Sequence, residues 1–199
     1  MSAPTDQKEI LLKLRELTGA GMMDCRNALA EAKGDLKQAQ DILRRKGLDI
    51  AKKKSTREVK EGQVISYIHG GGKLGVMVEI NCETDFVAKN EQFQAFARDM
   101  AMQIAAAHPL YVSVEQIPAL DLENEKANYL KEVQGKPAQV QEKIIEGKLA
   151  KRFEEICLLN QKFIKDDSRT VQDYLTETIA RIGENIVIRR FIRFELGGN

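Results

Sequence analysis

The stretch GQVISYIHGGGKLGVMVEINC, residues 62–82, decides the fold class because its apolar residues follow the spacing of β-strands. In its second half they alternate with other residues: Leu74, Val76, Val78, Ile80 and Cys82. A period of two places alternate side chains on one face of a strand. The glycines at 70–72 predict the turn of a hairpin that joins this strand to the one before it.

A third strand is predicted at the other end of the chain, in NIVIRRFIRFEL. The apolar residues of one face there are Ile186, Ile188, Ile192, Phe194 and Leu196. Between the hairpin and this strand, from 90 to 183, the apolar residues have helical spacing, clearest at Phe93, Phe96, Ala97, Met100 and Ile104. The pattern predicts an α+β fold, with a three-stranded antiparallel sheet (62–69, 73–82 and 186–196) covered by helices.

The first 47 residues predict three short helices that form a separate N-terminal module. TGAG at 18–21 separates the first two helices, and Gly34 ends the second. Asp35 is the predicted N-cap of the third helix, and Gly47 is its predicted C-terminal stop. Three helices of this size bury only a small core.

A polar, basic segment, LDIAKKKSTREVKE at 48–61, predicts a linker between the two parts, either irregular or partly helical. We place the module and the start of the linker at 1–55 and the core domain at 56–199. Seven basic residues against one acid between 44 and 57 leave two interpretations, a solvated linker or a nucleic-acid patch. No aromatic residue precedes Tyr67, so a base-stacking platform is missing here and the solvated linker is favoured.

The composition excludes several classes of protein. Apolar residues make up 43% and charged residues 31% of the 199 residues, which is typical of a globular chain. A net charge of +1 argues against a surface devoted to nucleic acid. Three widely spaced cysteines do not form a disulfide framework, and the sequence contains neither a membrane-spanning run nor a signal peptide. We expect a cytoplasmic protein without a membrane partner.

Two glycine-rich matches were tested as signs of catalysis. HGGG at 69–72 matches the oxyanion loop of some hydrolases, but no serine lies in the G-x-S-x-G setting that this fold needs. GGGK lacks the spacing of a phosphate loop and leads into a strand. The two histidines are not at zinc-ligand spacing with any cysteine. The sequence therefore predicts no catalytic residues, no metal site and no cofactor, and it favours a binding protein.

Two places carry apolar residues that the periodic pattern does not explain. Met22 and Met23 follow the glycine turn and point about 100° apart on a helix, so both cannot face a small core equally well. Methionine is common at adaptable binding surfaces. From the pattern alone, gap filling in the helical core and partner binding are equally supported.

The second place is NCETDFVAKNEQF, residues 81–93. Asp85 and Phe86 follow a strand and precede a helix, in a predicted solvent-facing turn. In one interpretation Phe86 packs back onto the protein, and Thr84 or Asp85 caps a turn. In the other, Phe86 is offered to a partner, where burial of an aromatic ring contributes roughly 2–3 kcal/mol.

Four segments resemble the elongation factor Ts family: LRELTGAGMMDCRNAL (14–29), NCETDFVAKNEQF (81–93), IIEGKLAKRFEE (144–155) and IGENIVIRRFIRFE (182–195). The chain is similar to the short form of this family along its whole length. The resemblance implies a ubiquitin-associated-like three-helix module, a linker and an α+β core. It also implies a guanine-nucleotide exchange factor of translation elongation, which is not an enzyme because it makes no covalent bonds.

The resemblance further implies a partner and a set of contact residues. The partner is elongation factor Tu carrying GDP. Arg15, Met22 and Met23 would grip its nucleotide-binding domain, while Asp85 and Phe86, within the segment from Thr84 to Val87, would displace its magnesium and so release GDP. The short form is expected to pair with itself as a homodimer and to bind no nucleic acid directly. The alternatives are a ribosome- or RNA-associated factor that uses the basic linker and, less favoured, a hydrolase that uses the HGGG loop.

Overall fold

The structure is a computed structural model, which describes residues 4–198. Its helices are α1 (Pro4–Thr18), α2 (Met22–Glu31), α3 (Leu36–Lys54), α4 (Asp85–Ala88), α5 (Glu91–Ala107), α6 (Ala119–Glu132), α7 (Ala138–Ile156) and α8 (Val171–Ile182). Its strands are β1 (Glu61–His69), β2 (Leu74–Cys82), β3 (Lys162–Phe163), β4 (Asp166–Thr170) and β5 (Ile186–Glu195). Short 3₁₀ turns lie at Val114–Gln116 and Leu158–Asn160.

The main sheet has three antiparallel strands in the order β1-β2-β5, which confirms the predicted α+β fold class. Its strands differ from the predicted bounds by one residue at most. The hairpin between β1 and β2 turns through Gly70, Gly71 and Gly72, all of which have positive φ angles. This is a conformation that glycine adopts at little cost. A second, two-stranded sheet, which the sequence did not predict, pairs β3 with β4.

The chain divides into two compact units, and the strands of the main sheet contribute residues to both. The first unit comprises the chain up to Gln63, Ile80–Phe96 and Asp173–Val187. The second comprises Val64–Glu79, Ala97–Gln172 and the chain from Ile188 onward.

Within the first unit, α1, α2 and α3 enclose a small apolar cluster. Its buried members are Leu14, Cys25, Ala28, Ala32, Ala39 and Leu43. Asp35 caps α3 as predicted, because its side chain accepts a 2.8 Å hydrogen bond from the backbone N–H of Gln38. Most members of this cluster are small, so the apolar surface that it buries is limited.

The predicted stop at Gly47 is wrong, because α3 continues through this residue to Lys54. Gly47 is buried, and a Cβ built on it would lie 3.6 Å from the Cβ of Ala180 in α8. The guanidinium of Arg44, one turn earlier, pairs with Asp173 at the start of α8 at 3.0 Å. A glycine inside a helix costs only about 1 kcal/mol, which contacts along the helix can offset. The segment predicted as a linker is therefore helical up to Lys54.

In the second unit, the buried amide of Gln103 joins α5 to the chain around β3. Its Nε2 donates to Gln161 Oε1 at 3.2 Å and to the Lys162 carbonyl at 3.1 Å. Its Oε1 accepts from the backbone N–H of Ile164 at 2.8 Å. Gln103 is fully buried, so these bonds avoid the cost of unsatisfied polar atoms.

The apolar face predicted for α5 is buried along its whole length. Phe93 and Phe96 lie in the first unit, and Ala97, Met100 and Ile104 lie in the second. Among the residues that the structure describes, no helix combines the length and the apolar character needed to cross a bilayer.

Candidate partner-binding site

The segment that follows β2, where the sequence predicted a solvent-facing turn, forms a one-turn helix, α4. Thr84 is its N-cap, with extended backbone angles (φ −128°, ψ 155°), and its hydroxyl accepts from the backbone N–H of Val87 at 3.4 Å. Asp85 occupies the first turn, where a carboxylate is favoured by the helix dipole. The segment therefore folds as a helix because its first residues carry N-terminal signals.

Glu184 holds the start of α4 with two hydrogen bonds. Its carboxylate accepts from the backbone N–H of Thr84 at 3.0 Å and from the Thr84 hydroxyl at 2.8 Å. Beneath this point the buried Cys82 thiol donates to the Thr84 carbonyl at 3.1 Å. At the other end of α4, Gln63 Nε2 donates to the Ala88 carbonyl at 2.8 Å. Hydrogen bonds at both ends thus fix this single turn.

Burial, together with the negative charge of Glu184, raises the pKa of Cys82 to about 11. At neutral pH the thiol is therefore protonated, as its role as a hydrogen-bond donor to Thr84 requires. A buried, protonated thiol is a poor nucleophile, so Cys82 acts here as a structural residue.

Glu83 secures the loop in which Glu184 lies. Its carboxylate accepts from the backbone N–H of Asn185 at 2.6 Å and from the Arg57 guanidinium at 3.3 Å. The buried Asn185 in turn donates from Nδ2 to the Arg57 carbonyl at 2.9 Å. The Asn185 N–H lowers the pKa of Glu83 below the usual value, and Arg57 lowers it further. Glu83 is therefore ionised at neutral pH.

Phe86 projects from α4 into solvent, with 82% of its surface exposed. The interpretation in which it packs back onto its own chain is wrong. Val87 is half-buried and Ala88 is buried, so the opposite side of the turn supplies the packing. The protein presents an unpartnered aromatic ring on a turn whose backbone is fixed at both ends.

Asp85, beside Phe86, forms an ion pair with Lys89 at 2.8 Å, one helical turn away. The hydrogen bond from Lys89 lowers the pKa of Asp85, so its carboxyl is charged at neutral pH. The Lys89 side chain is largely exposed and that of Asp85 is half-exposed, so solvent and salt screen the pair. Asp85 is therefore able to exchange Lys89 for a hydrogen-bond donor of a partner.

The other predicted contact residues surround the loop between α1 and α2. Arg15 lies exposed in the last turn of α1, and Met22 is the first residue of α2. Met22 is 39% exposed and Met23 61% exposed, and neither belongs to the buried cluster of the three helices. They are therefore not core residues, which removes the gap-filling alternative.

The structure gathers the predicted site residues into two groups within the first unit. One group is α4 with its cap, and the other is Arg15, Met22 and Met23 around the glycine turn. Sequence reasoning missed Glu184 and Arg181, which hold the backbones of the two groups. Glu184 stands alone between Gly183 and Asn185, so the sequence carried no signal of its contact with Thr84.

The motifs tested for catalysis have structural roles. The HGGG segment is an open hairpin turn, in which a Cβ on Gly70, Gly71 or Gly72 would meet nothing within 4 Å. The His69 ring is hydrogen-bonded to the Tyr67 hydroxyl at 2.9 Å. Within residues 4–198, no group of three or more histidine, cysteine, aspartate or glutamate side chains is arranged to hold a metal ion.

An aromatic ring exposed on a fixed turn is the kind of side chain that is enriched where proteins bind other macromolecules, so the site favours a binding protein. The family model described as Elongation factor TS matches residues 38–198 of the chain. The chain therefore belongs to the elongation factor Ts family. This membership implies a nucleotide-exchange role in translation, and an exchange factor is not an enzyme that makes or breaks covalent bonds.

Individual relatives match nearly the whole chain. Elongation factor Ts of Carboxydothermus hydrogenoformans is 60% identical over 193 residues, which cover 95% of this chain and 88% of the relative. That of Geobacter sulfurreducens is 58% identical over 187 residues, 93% of this chain and 87% of the relative. That of Thermodesulfovibrio yellowstonii is 55% identical over 190 residues and covers 95% of both chains.

Proposed function

We propose that this protein is a guanine-nucleotide exchange factor that binds elongation factor Tu carrying GDP, displaces its magnesium ion and promotes GDP release. The observation that carries the proposal is the exposure of Phe86, 82% of whose surface is open on a turn fixed by Glu184, Cys82 and Gln63. A large apolar side chain held out in this way gains most by burial in a second protein.

In this mechanism α4 enters the partner beside the site that holds magnesium. Phe86 fills an apolar space there, and Asp85, released from Lys89, accepts hydrogen bonds from the partner. Thr84 and Val87 complete the contact. Loss of the metal removes the positive charge that neutralises the GDP phosphates, and the nucleotide then dissociates.

The second group of residues supplies affinity rather than displacement. Met22 and Met23 have flexible, polarizable side chains, exposed at the start of α2, that adapt to a partner surface. Arg15, exposed at the end of α1, adds a charged contact. We propose that these three residues grip the nucleotide-binding domain of the partner while α4 acts on the metal.

Thermodynamics constrains the exchange. The factor shifts the binding equilibrium of its partner toward loss of GDP only if it binds the nucleotide-free partner more tightly than the GDP-bound one. By reciprocity, GDP weakens the binding of the factor to the same degree, typically by ~1–3 kcal/mol.

The proposal extends to assembly and location. We propose that the chain forms a homodimer and acts in the cytoplasm without direct contact to nucleic acid. The basic run has a structural explanation, because Lys52, Lys53 and Lys54 form the last turn of α3, where cations are favoured. Sedimentation of the free protein tests whether it forms a dimer. Titration with RNA at two salt concentrations tests whether it binds nucleic acid.

The experiment that tests the function is release of a fluorescent GDP analogue from elongation factor Tu, chased with unlabelled GDP. We expect release to accelerate with the concentration of this protein and to saturate. Added free magnesium should oppose the acceleration, because it competes with metal displacement. Release that is unchanged at every concentration would contradict the proposal.

A further inference from the structure

The end of α8 and the loop that follows it, residues 181–185, bond to α4 through Thr84 and to the loop that leads to Met22 through Thr18. We call these residues the support segment. Arg181 Nη2 donates to the Thr18 carbonyl at 3.2 Å, at the start of the loop that leads to Met22. Glu184 accepts from the N–H and the hydroxyl of Thr84, at the start of α4. One short segment thus bonds to the backbone before each group.

The contact of Arg181 with the α1–α2 loop is close. Gly19 in this loop has a φ angle of +62°, and a Cβ built on it would lie 2.3–2.6 Å from the Arg181 guanidinium. The guanidinium therefore lies directly against the Gly19 backbone, in space that any other residue would fill. Thr18 is further held by its own hydroxyl, which donates to the Leu14 carbonyl at 2.8 Å. The loop before Met22 is thus fixed from α8 as well as from α1.

The support segment is itself held in place. Asn185 is 3% exposed and binds Glu83 through its backbone N–H and the Arg57 carbonyl through its side chain. On its other side, the segment continues α8, whose Leu175 and Ile179 are buried. Because their own backbone is fixed, Glu184 restricts the movement of Thr84, and Arg181 restricts the movement of Thr18.

We propose that Arg181 and Glu184 are positioning residues of the exchange reaction, which set the spacing between the Met22–Met23 group and Phe86. This inference rests on the proposed function and adds residues that do not touch the partner. Because the spacing is fixed before binding, both groups contact the partner together, and binding does not carry the entropic cost of ordering α4 and the α1–α2 loop. Bonds of charged side chains to backbone groups suit this role because they are stronger than neutral ones.

The test compares variants of the whole protein in the fluorescent-GDP release assay over a range of concentrations. Glu184→Ala frees α4, so the maximal rate should fall by roughly tenfold, the loss expected for a charged hydrogen bond, while the half-saturating concentration changes little. Arg181→Ala loosens the gripping loop, so the half-saturating concentration should rise with a smaller effect on the maximal rate. A general loss of structure would change the maximal rate and the half-saturating concentration in both variants, rather than mainly one of them in each.

Two further variants separate positioning from overall stability. Glu184→Gln keeps an oxygen that accepts from the Thr84 N–H and should retain most of the maximal rate. Glu58→Ala is the matched control, because Glu58 also carries a carboxylate and lies in the same unit. Its side chain is exposed, and in the part of the chain that the structure describes it pairs with the equally exposed Lys60. This variant should behave as the wild type. If Glu184→Ala fails to fold, Glu184→Asp keeps the charge but shortens the side chain, which weakens both bonds to Thr84 and should lower the maximal rate.

A double variant gives the decisive outcome. If Glu184 acts through Phe86, then Glu184→Ala adds no further loss to Phe86→Ala, whereas independent effects would multiply. A folded Glu184→Ala variant with the wild-type maximal rate, or a multiplicative loss in the double variant, would overturn the inference. A wild-type protein that does not accelerate release would instead overturn the proposed function, so the two failures are distinguishable.

Discussion

Phe86 is the residue on which the account depends, and its environment separates stability from function. The ring is mostly exposed, while Thr84, Gln63 and Cys82 fix the backbone around it. Because removal of an exposed side chain creates no cavity, we expect Phe86→Ala to change the free energy of unfolding by no more than about 0.5 kcal/mol. Thermal and urea unfolding check this. A large loss of stability would show that the ring is a packing residue.

Met22 and Met23 lead to a second prediction at the residue scale. Alanine at both positions should weaken binding to nucleotide-free elongation factor Tu by roughly tenfold or more, since each methionine keeps exposed surface that a partner can bury and tenfold corresponds to only ~1.4 kcal/mol. The free energy of unfolding should change much less, because both side chains lie outside the buried cluster. Titration calorimetry and urea unfolding compare the two effects. A loss confined to stability would contradict the assignment.

Glu83 predicts a dependence of stability on pH. Its pKa is lower in the folded protein, through the Asn185 N–H and Arg57, so it stabilises the fold above its unfolded-state pKa. This contribution is lost as the pH falls below the usual value of 4.5 and through the folded-state value. Glu83→Gln should therefore be less stable than the wild type at neutral pH and lose less stability on acidification. Urea unfolding at neutral and acidic pH measures the difference, and parallel pH profiles would contradict it.

At the scale of elements, α3 shows why a helix boundary was mispredicted. A glycine that follows a helical pattern of apolar residues commonly ends the helix by adopting a positive φ angle. Gly47 does not adopt one, and α3 continues through it. Residues 48–54 are compatible with a helix, and α8 packs beside this point through Thr176 and Ala180. The local pattern was ambiguous, and a contact distant in sequence decided it.

The same helix yields a prediction of increased stability. A Cβ at Gly47 would meet Ala180 and Thr176 at 3.6 and 3.9 Å, which are ordinary van der Waals distances. Gly47→Ala should thus stabilise the protein by up to about 1 kcal/mol, the difference in helix propensity. Gly147→Ala in α7, where a Cβ would meet nothing within 4 Å, is the matched control and should stabilise similarly. Loss of stability in the Gly47 variant alone would show that α3 and α8 need closer contact than the structure describes.

At the scale of the whole molecule, the periodic patterns predicted the fold class and the three strands of the main sheet. Alternation at Leu74–Cys82 and helical spacing from Phe93 to Ile104 are local properties, so they are visible in the sequence. The support segment was not visible, because Glu184 and Thr84 are 100 residues apart and neither follows a periodic pattern. The exposure of Phe86 was likewise one of two open interpretations until the structure described α4.

The measurement that tests the account most directly is the maximal rate of fluorescent-GDP release from elongation factor Tu at saturating Phe86→Ala. Leu120→Ala, which removes another exposed apolar side chain, serves as the control. We predict that Phe86→Ala folds normally yet releases GDP at least roughly tenfold more slowly than the wild type, since burial of an aromatic ring contributes roughly 2–3 kcal/mol and ~1.4 kcal/mol corresponds to a factor of ten. Leu120→Ala should match the wild type. A folded Phe86→Ala variant that releases GDP as fast as the wild type would contradict the central claim.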